Sequence, residues 1–183
     1  MLTWVVKQVE SSFVAKYEVL DDSNNIIASA EMSNVIFGSN WRIYYGDKVK
    51  YNALYKFKQQ LGNIAKSNKN KLYIPFEIYD DSNIFRMGII CQKQSDGFFL
   101  SRYGYYELKL NNKTYTVYAV GLGKEGVKLP IYIGDTQVAL IEKSATVKNN
   151  LDEYVIHALN DEYANASYLV CLYIDTLSCS HRG

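Results

Sequence analysis

The sequence predicts a mainly β protein in which a closed barrel of about twelve strands encloses a C-terminal hydrophobic α-helix. Three observations lead to this prediction. Aromatic and β-branched runs alternate with turns rich in Asn, Asp and Gly along most of the chain. One hairpin pattern occurs twice, and the helix predicted near the C-terminus has no polar face over two turns.

The composition is that of a folded globular domain. The chain has 183 residues, of which 48% are hydrophobic, 14% aromatic and 21% charged, and the net charge is +1. We expect a single domain over residues 1–183. The 17 tyrosines and two prolines favour strands. Three cysteines are too few for a secreted disulfide framework, and the N-terminus lacks a basic leader, so we expect a cytoplasmic protein.

An internal repeat predicts two related hairpins. The sequence YEVLDDSN at residues 17–24 reappears as FEIYDDSN at residues 76–83, with five of eight positions identical. Asp and Asn favour turns, and apolar runs follow at residues 26–30 and 84–90. Two copies of one ancestral β unit explain the match, and so does a chance similarity between acidic-turn hairpins.

Further strands follow the same pattern of runs and turns. Hairpins are predicted for residues 105–120, around an Asn turn, and for residues 129–142, around Gly134. Residues 41–45 and 154–159 add single strands. This gives about ten to twelve strands, too many for an open twisted sheet that neither closes nor splits.

One stretch, residues 49–65, fits two structures. Its apolar side chains Leu54, Phe57, Leu61 and Ile64 have helical spacing, whereas residues 51–58 alternate loosely as in a strand. We predict a helix here, with a strand as the alternative.

The predicted C-terminal helix, residues 162–178, determines the architecture. Asn160 or Asp161 can cap its first turn, and every residue from 168 to 174 is apolar or aromatic. A helix that is apolar all round must be covered on all sides, and this one is shorter than the roughly 20 residues that a membrane span needs. Strands of the same chain are the expected cover. The alternative is a helix held between one sheet and a partner subunit.

The paired hairpins and the DEYVIHALND segment (residues 152–161) that leads into the apolar helix resemble the tubby-like barrel group. This group includes tubby C-terminal domains, phospholipid scramblases and LURP-one-related proteins. The resemblance covers most of the chain and implies a twelve-stranded barrel around a C-terminal helix. Members include phosphoinositide binders and calcium-responsive scramblase-like proteins. The tubby basic lipid site does not align here, and Asp152 with Glu153 cannot supply the six to eight oxygens that calcium takes.

No motif predicts catalysis, a metal or a cofactor. GLGKEG at residues 121–126 matches a dinucleotide fingerprint, but the residues after it, with Pro130, favour a strand over the required helix. His157 lies in a predicted strand. Cys171 and Cys179 are eight residues apart, with neither a C-x-x-C motif nor a nearby histidine ligand set, so a zinc site is not expected. Asp175 is the one charge within the apolar helix, and we expect the helix end to reach a barrel mouth there.

The charge distribution supplies the candidate site. Residues 42–75 carry eight cations and one carboxylate, or +7, which leaves 12 − 18 = −6 for the rest of the chain. Tyrosines lie between these cations. Such a segment favours an anionic ligand such as a membrane lipid, although a solubilising surface has the same composition. The candidate residues for binding an anionic ligand are Arg42, Lys48, Lys50, Lys56 and Lys58.

We therefore expect a non-catalytic binding module that docks on anionic phospholipid, or on another anionic ligand, through the basic segment. This predicts a cytoplasmic protein that can be peripheral at a membrane. The alternative is a protein-interaction scaffold whose partner meets the acidic face or exposed tyrosines. An enzyme with an unrecognised site at a barrel mouth is less favoured. Nucleic acid is not an expected partner, because no RNA-binding signature accompanies the cations.

Overall fold

The computed structural model describes residues 1–11, 15–35, 38–56, 75–95, 104–123, 126–143 and 151–179. These form thirteen β-strands and one α-helix, α1, Asp161–Cys179. The strands are β1 Leu2–Ser11, β2 Ala15–Leu20, β3 Ile26–Val35, β4 Gly38–Tyr45, β5 Lys48–Lys56, β6 Phe76–Tyr79, β7 Arg86–Gln94, β8 Gly104–Leu110, β9 Lys113–Tyr118, β10 Val120–Gly123, β11 Gly126–Ile133, β12 Thr136–Lys143 and β13 Glu153–Ala158.

The strands close into an antiparallel barrel. Consecutive strands pair with each other except β9 and β10, and β13 pairs with β1. β9 and β10 together act as one strand, because both pair with β11 in a single register: Val117 lies opposite Ile131, and Val120 lies opposite Lys128. The barrel therefore has twelve strand positions, which confirms the predicted fold class.

The antiparallel order gives the barrel two different ends. The tight turns between β2 and β3, β4 and β5, β6 and β7, β8 and β9, and β11 and β12 all lie at one end. The first residue of β1 and the N-terminus of α1 lie there too. We call this end the turn end. From it, α1 runs towards the opposite end.

The two copies of the repeat form hairpins with the same turn. In the first turn, the Asn24 amide donates to the Asp21 carbonyl at 3.0 Å, and in the second the Asn83 amide donates to the Asp80 carbonyl at 3.2 Å. Both asparagines have left-handed backbones, with φ values of 61° and 60°. A register shift ends each first strand at the equivalent step, between Val19 and Leu20 and between Ile78 and Tyr79. The predicted hairpins are confirmed.

The helix lies inside the barrel. Every residue from 164 to 173 is buried, so no face of these turns meets solvent. The Tyr173 ring packs against Phe76 of β6 and Tyr106 of β8, and its hydroxyl accepts a hydrogen bond from the Gln92 amide of β7 at 3.0 Å. Strands of the same chain thus cover α1, and a partner subunit is not needed to do so.

The helix predicted for residues 49–65 is wrong in its first part, because residues 49–56 belong to strand β5. The loose alternation was the correct signal: Tyr51 and Ala53 are buried towards the interior, and the side chain of Asn52 donates to the Asp80 carbonyl at 3.1 Å. Residues 57–65 lie outside the described residues. The hairpins predicted around residues 111–113 and 134–136 are present as β8–β9 and β11–β12.

The glycine motif at residues 121–126 begins no helix. Gly121 and Gly123 lie on β10, and Gly126 begins β11 as the antiparallel partner of Gly123. The glycines therefore belong to strands, which agrees with the strand predicted for the residues that follow the motif. Helix α1, the helix that the described residues contain, is not long and apolar enough to cross a membrane.

Candidate functional site

The predicted basic residues that the structure describes lie on one hairpin, β4–β5, which we call the basic hairpin (residues 38–56). Arg42, Lys48 and Lys50 are all exposed. The register passes from Ile43 opposite Tyr51 to Tyr44 opposite Val49, so Lys50 is the extra residue of a β-bulge. Bulges redirect side chains near strand ends. Here the bulge lies two residues from the start of β5, next to Lys48 at the turn end.

Two tyrosines hold the Lys50 ammonium. Its Nζ lies 4.3 Å from the centre of the Tyr45 ring and 5.3 Å from that of Tyr51. Ring faces attract a cation without neutralising it. The Tyr45 hydroxyl donates to Asn165 Oδ1, and Asn165 Nδ2 is 3.3 Å from the Tyr51 hydroxyl oxygen. Burial raises the pKa of Tyr45, so this phenol stays neutral. The helix thus fixes both rings beneath an exposed cation.

These three cations differ from most others in having no carboxylate partner. Among the described residues, no Asp or Glu oxygen lies within the 4.0 Å ion-pair distance of Arg42, Lys48 or Lys50. The ion-paired cations in the same part of the chain are Lys16, Arg86, Lys93, Lys109, Lys113, Lys128 and Lys143. The sequence shows the excess of cations in this segment, but it does not show which cations are neutralised.

The structure brings together only part of the predicted set. Lys48 and Lys50 lie side by side at the turn end. Arg42 lies further along β4, between Glu31 of β3 and Asn52 of β5 in the register. Lys56 ends β5, six residues from Lys50 and therefore about 20 Å away along the strand. Lys58 lies outside the described residues.

A second charged cluster lies inside the barrel near its opposite end. Asp175 of α1 is 2% exposed, and the Tyr17 hydroxyl faces its carboxyl group. Burial, together with a hydrogen bond that the protonated Asp175 carboxyl donates to Asp152, raises the pKa of Asp175 to about 6. Lys143 Nζ lies 3.0 Å from Asp152 Oδ2. The expectation that Asp175 reaches a barrel mouth is wrong, since its carboxyl is covered.

This cluster is not visible in the sequence, because its members come from three separate elements and from the residue that precedes a fourth. Asp152 precedes β13, Lys143 ends β12, Tyr17 lies on β2 and Asp175 lies on α1. No spacing rule connects them. Paired carboxyls with unequal proton affinity can act as an acid and a base. A substrate would need access to the carboxyl, and Asp175 at 2% exposure has none in this conformation.

The described residues contain no further arrangement that suggests chemistry. No three of their His, Cys, Asp or Glu side chains come close enough to hold a metal ion. His157 lies on β13 with its Nδ1 3.4 Å from the Thr3 hydroxyl and its Nε2 4.0 Å from Glu142. Cys171 is fully buried in α1, and burial raises the pKa of its thiol, which makes it unreactive.

Comparisons of the chain with protein-family models, with curated proteins and with solved structures gave no match. The geometry of the basic hairpin is therefore the basis for a functional proposal.

Proposed function

We propose that this protein is a non-catalytic binding module that docks on anionic phospholipid through Arg42, Lys48 and Lys50 of the basic hairpin. The observation that carries the proposal is the contrast in ion pairing. These three cations are exposed and have no carboxylate partner among the described residues, whereas seven of the eight other cations whose side chains are described do have one; Lys7 of β1 is the exception.

A free cation binds an anionic surface at lower cost than a paired one, because no existing ion pair is lost. Each lysine or arginine near an anionic membrane contributes about 1 kcal/mol. Three such residues give a weak, reversible attachment that salt screens. Tyr44, partly exposed on β4 between Arg42 and the turn, adds an amphipathic ring of the kind found at membrane interfaces.

The barrel around a C-terminal helix is consistent with a tubby-like fold. We extend the proposal to membership of the tubby-like group and to a cytoplasmic protein that is peripheral at the membrane. The calcium-dependent activity of some scramblase-like members is not part of the proposal, because this chain lacks their acidic calcium segment.

Co-sedimentation with vesicles tests the proposal. We expect the protein to pellet with phosphatidylserine–phosphatidylcholine vesicles at low salt and much less at 0.5 M salt, where the Debye length is about 4 Å. The variant R42Q/K48Q/K50Q should lose most of this binding. The matched control is K16Q/K109Q/K128Q, which removes three lysines with exposed but ion-paired side chains elsewhere on the barrel and should bind like the parent.

A second candidate function, a protein-interaction scaffold, is favoured by the acidic character of the turns. Asp22, Asp47, Asp81 and Asp135 are exposed at the turn end, as is Asp161 of α1. A partner with a basic surface would fit them. A parent protein that ignores acidic vesicles even at low salt would overturn the lipid proposal and leave this one.

A further inference from the structure

Large exposed hydrophobic side chains gather at the turn end. Of the seven in the described part of the chain, only Val9 lies elsewhere. The six at the turn end are Met1, Ile26, Ile84, Phe85, Met87 and Leu159. Scattered exposed apolar residues are normal, but their concentration at one end marks an interaction surface.

Three of these side chains lie at the tips of the two repeat hairpins. Ile84 and Phe85 are 71% and 67% exposed. Asp80 Oδ1 accepts hydrogen bonds from their amides at 3.0 and 3.2 Å, so the turn itself holds them outward. In the first copy, Ile26 occupies the position equivalent to Phe85 and is 58% exposed. We call Ile26, Ile84 and Phe85 the apolar tips.

The apolar tips lie on either side of the basic hairpin. On one side, the Gly46 amide donates to the Ile27 carbonyl at 3.4 Å, which joins the β4–β5 turn to the start of β3. On the other, Asn52 Nδ2 donates to the carbonyls of Asp80 and Asp81 at 3.1 and 3.2 Å. Three consecutive turns thus lie side by side. Lys48 and Lys50 lie at the middle turn, and the apolar tips lie at the outer two.

We infer that the turn end is the membrane-facing surface, with the apolar tips entering the interfacial region of an anionic bilayer while Lys48 and Lys50 contact the headgroups. This inference rests on the proposed function and adds the orientation and the inserting residues. Interfacial binding draws on buried apolar area as well as on charge. Lysines can contact the anionic headgroups of a bilayer, and the apolar tips beside them can reach the acyl chains beneath those headgroups.

Charge alone is insufficient at this surface. The three turns also expose Asp22, Asp47 and Asp81, which outnumber the two lysines and offset their attraction to an anionic surface. Asp21 and Asp80 add to this negative charge, because the hydrogen bonds that their carboxylates accept within their own turns lower their pKa and keep them ionised. The inference therefore requires the apolar tips to supply a large share of the binding.

A tryptophan introduced at the tip reports insertion directly. The native tryptophans, Trp4 and Trp41, are 6% and 0% exposed and give a constant background. With phosphatidylserine–phosphatidylcholine vesicles, Phe85→Trp should show a blue-shifted emission and quenching by brominated acyl chains. Val9→Trp, at a position of β1 that is 44% exposed and lies away from the turn end, should show neither.

Two variants separate this inference from the proposed function. I84S/F85S should bind the same vesicles about ten-fold more weakly or worse, with residual binding that salt abolishes. K48Q/K50Q should keep a residual binding that salt does not change. Circular dichroism melting should show both variants folded, because the substituted side chains are exposed.

Each outcome has a definite meaning. If the parent binds vesicles in a salt-sensitive way but Phe85→Trp emission does not move and I84S/F85S binds normally, the insertion inference is overturned and the proposed function stands. If the parent does not bind at all, both are overturned. Apolar tips that do not insert into vesicles would instead indicate a protein partner at the turn end.

Discussion

The indole Nε1 of Trp41 donates a hydrogen bond to Thr176 Oγ1 at 2.9 Å, joining the wall of the barrel to the helix inside it. Both residues are buried, Trp41 completely. The threonine hydroxyl in turn donates to the Leu172 carbonyl at 2.7 Å. The buried indole N–H of Trp41 thus has a hydrogen-bond acceptor, and the bond connects β4 to α1.

Replacing Thr176 by valine keeps the shape of the side chain and removes this acceptor. We expect a loss of about 1–3 kcal/mol in the free energy of unfolding, since the indole N–H is left buried and unpaired. For a chain of this size that lowers the melting temperature by roughly 3–10 °C. Thr114→Val, at an exposed position on β9, is the control and should change little. Equal melting temperatures for the two variants would contradict the contact.

Leu172 tests the enclosure of the helix. It is 0% exposed, in the stretch of α1 that strands cover on all sides. Leu172→Ala should cost about 2–5 kcal/mol of unfolding free energy, and Leu172→Asp should prevent soluble folding altogether. Urea denaturation measures the first and soluble expression the second. Leu159→Ala, at a position 58% exposed, should stay within about 0.5 kcal/mol of the parent. A soluble Leu172→Asp protein that melts like the parent would show that the helix is not enclosed.

The buried carboxyl of Asp175 predicts a pH dependence of stability. Its pKa is raised to about 6, chiefly by burial, so the protonated form is favoured in the fold. The stability that this group contributes is full below its unfolded pKa near 4 and is lost as the pH rises through 6. The loss approaches about 3 kcal/mol above pH 7. Lys143 opposes the shift, and Asp152 and Tyr17 face the same carboxyl.

Asp175→Asn should remove this dependence, because the amide stays neutral and can still hydrogen-bond to Asp152. We expect the variant to gain stability relative to the parent as the pH rises from 4.5 to 8, as measured by urea denaturation at each pH. Asp135→Asn, in the exposed turn before β12, is the matched control. If the free energy of unfolding of Asp175→Asn and that of the parent changed with pH in the same way, ionisation of Asp175 would not destabilise the fold and the prediction would be wrong.

The repeat turns predict a matched pair of substitutions. Asn24 and Asn83 occupy equivalent left-handed positions, where a residue with a Cβ and no short polar side chain is strained by about 1–2 kcal/mol. Asn24→Ala and Asn83→Ala should therefore each destabilise the protein by about 1 kcal/mol, whereas the corresponding glycine variants should not. Thermal melts of all four measure this. Alanine variants as stable as the glycine variants would contradict the shared turn.

Local elements could be predicted from the sequence where the residue pattern is compatible with only one structure. Residues 168–174 are apolar on every side, which only a covered helix allows. Asn111 and Asn112, with φ values of 50° and 63°, form the two-residue turn that their type favours. In residues 49–56 the apolar side chains fit a helix and a strand alike, and the pairing with β4 and β6 decided for the strand.

Relationships between distant segments could not be predicted in the same way. The pairing of Leu2 with Ala158, which closes the barrel through β1, leaves no trace in either local sequence. The same holds for the site. The excess of cations is visible in residues 42–75, but the bulge at Lys50 depends on the pairing with β4. That Arg42 has no carboxylate partner among the described residues depends on the side chains of the neighbouring strands. Asp152 meets Asp175 only because the helix returns through the barrel.

The last prediction concerns the direction from which the membrane is approached. Lys48 and Lys50 lie at the turn end, whereas Arg42 lies further along the outer wall of β4. Attraction to a charged surface falls within a Debye length of about 8 Å at physiological salt, so the two lysines should dominate if the turn end faces the bilayer. K48Q/K50Q should then weaken binding to phosphatidylserine vesicles about 30-fold at physiological salt, and R42Q only slightly. Surface plasmon resonance on immobilised vesicles measures both, with K109Q/K128Q as the charge-matched control. If R42Q alone costs as much as the double variant, the outer wall of β4 and not the turn end faces the membrane.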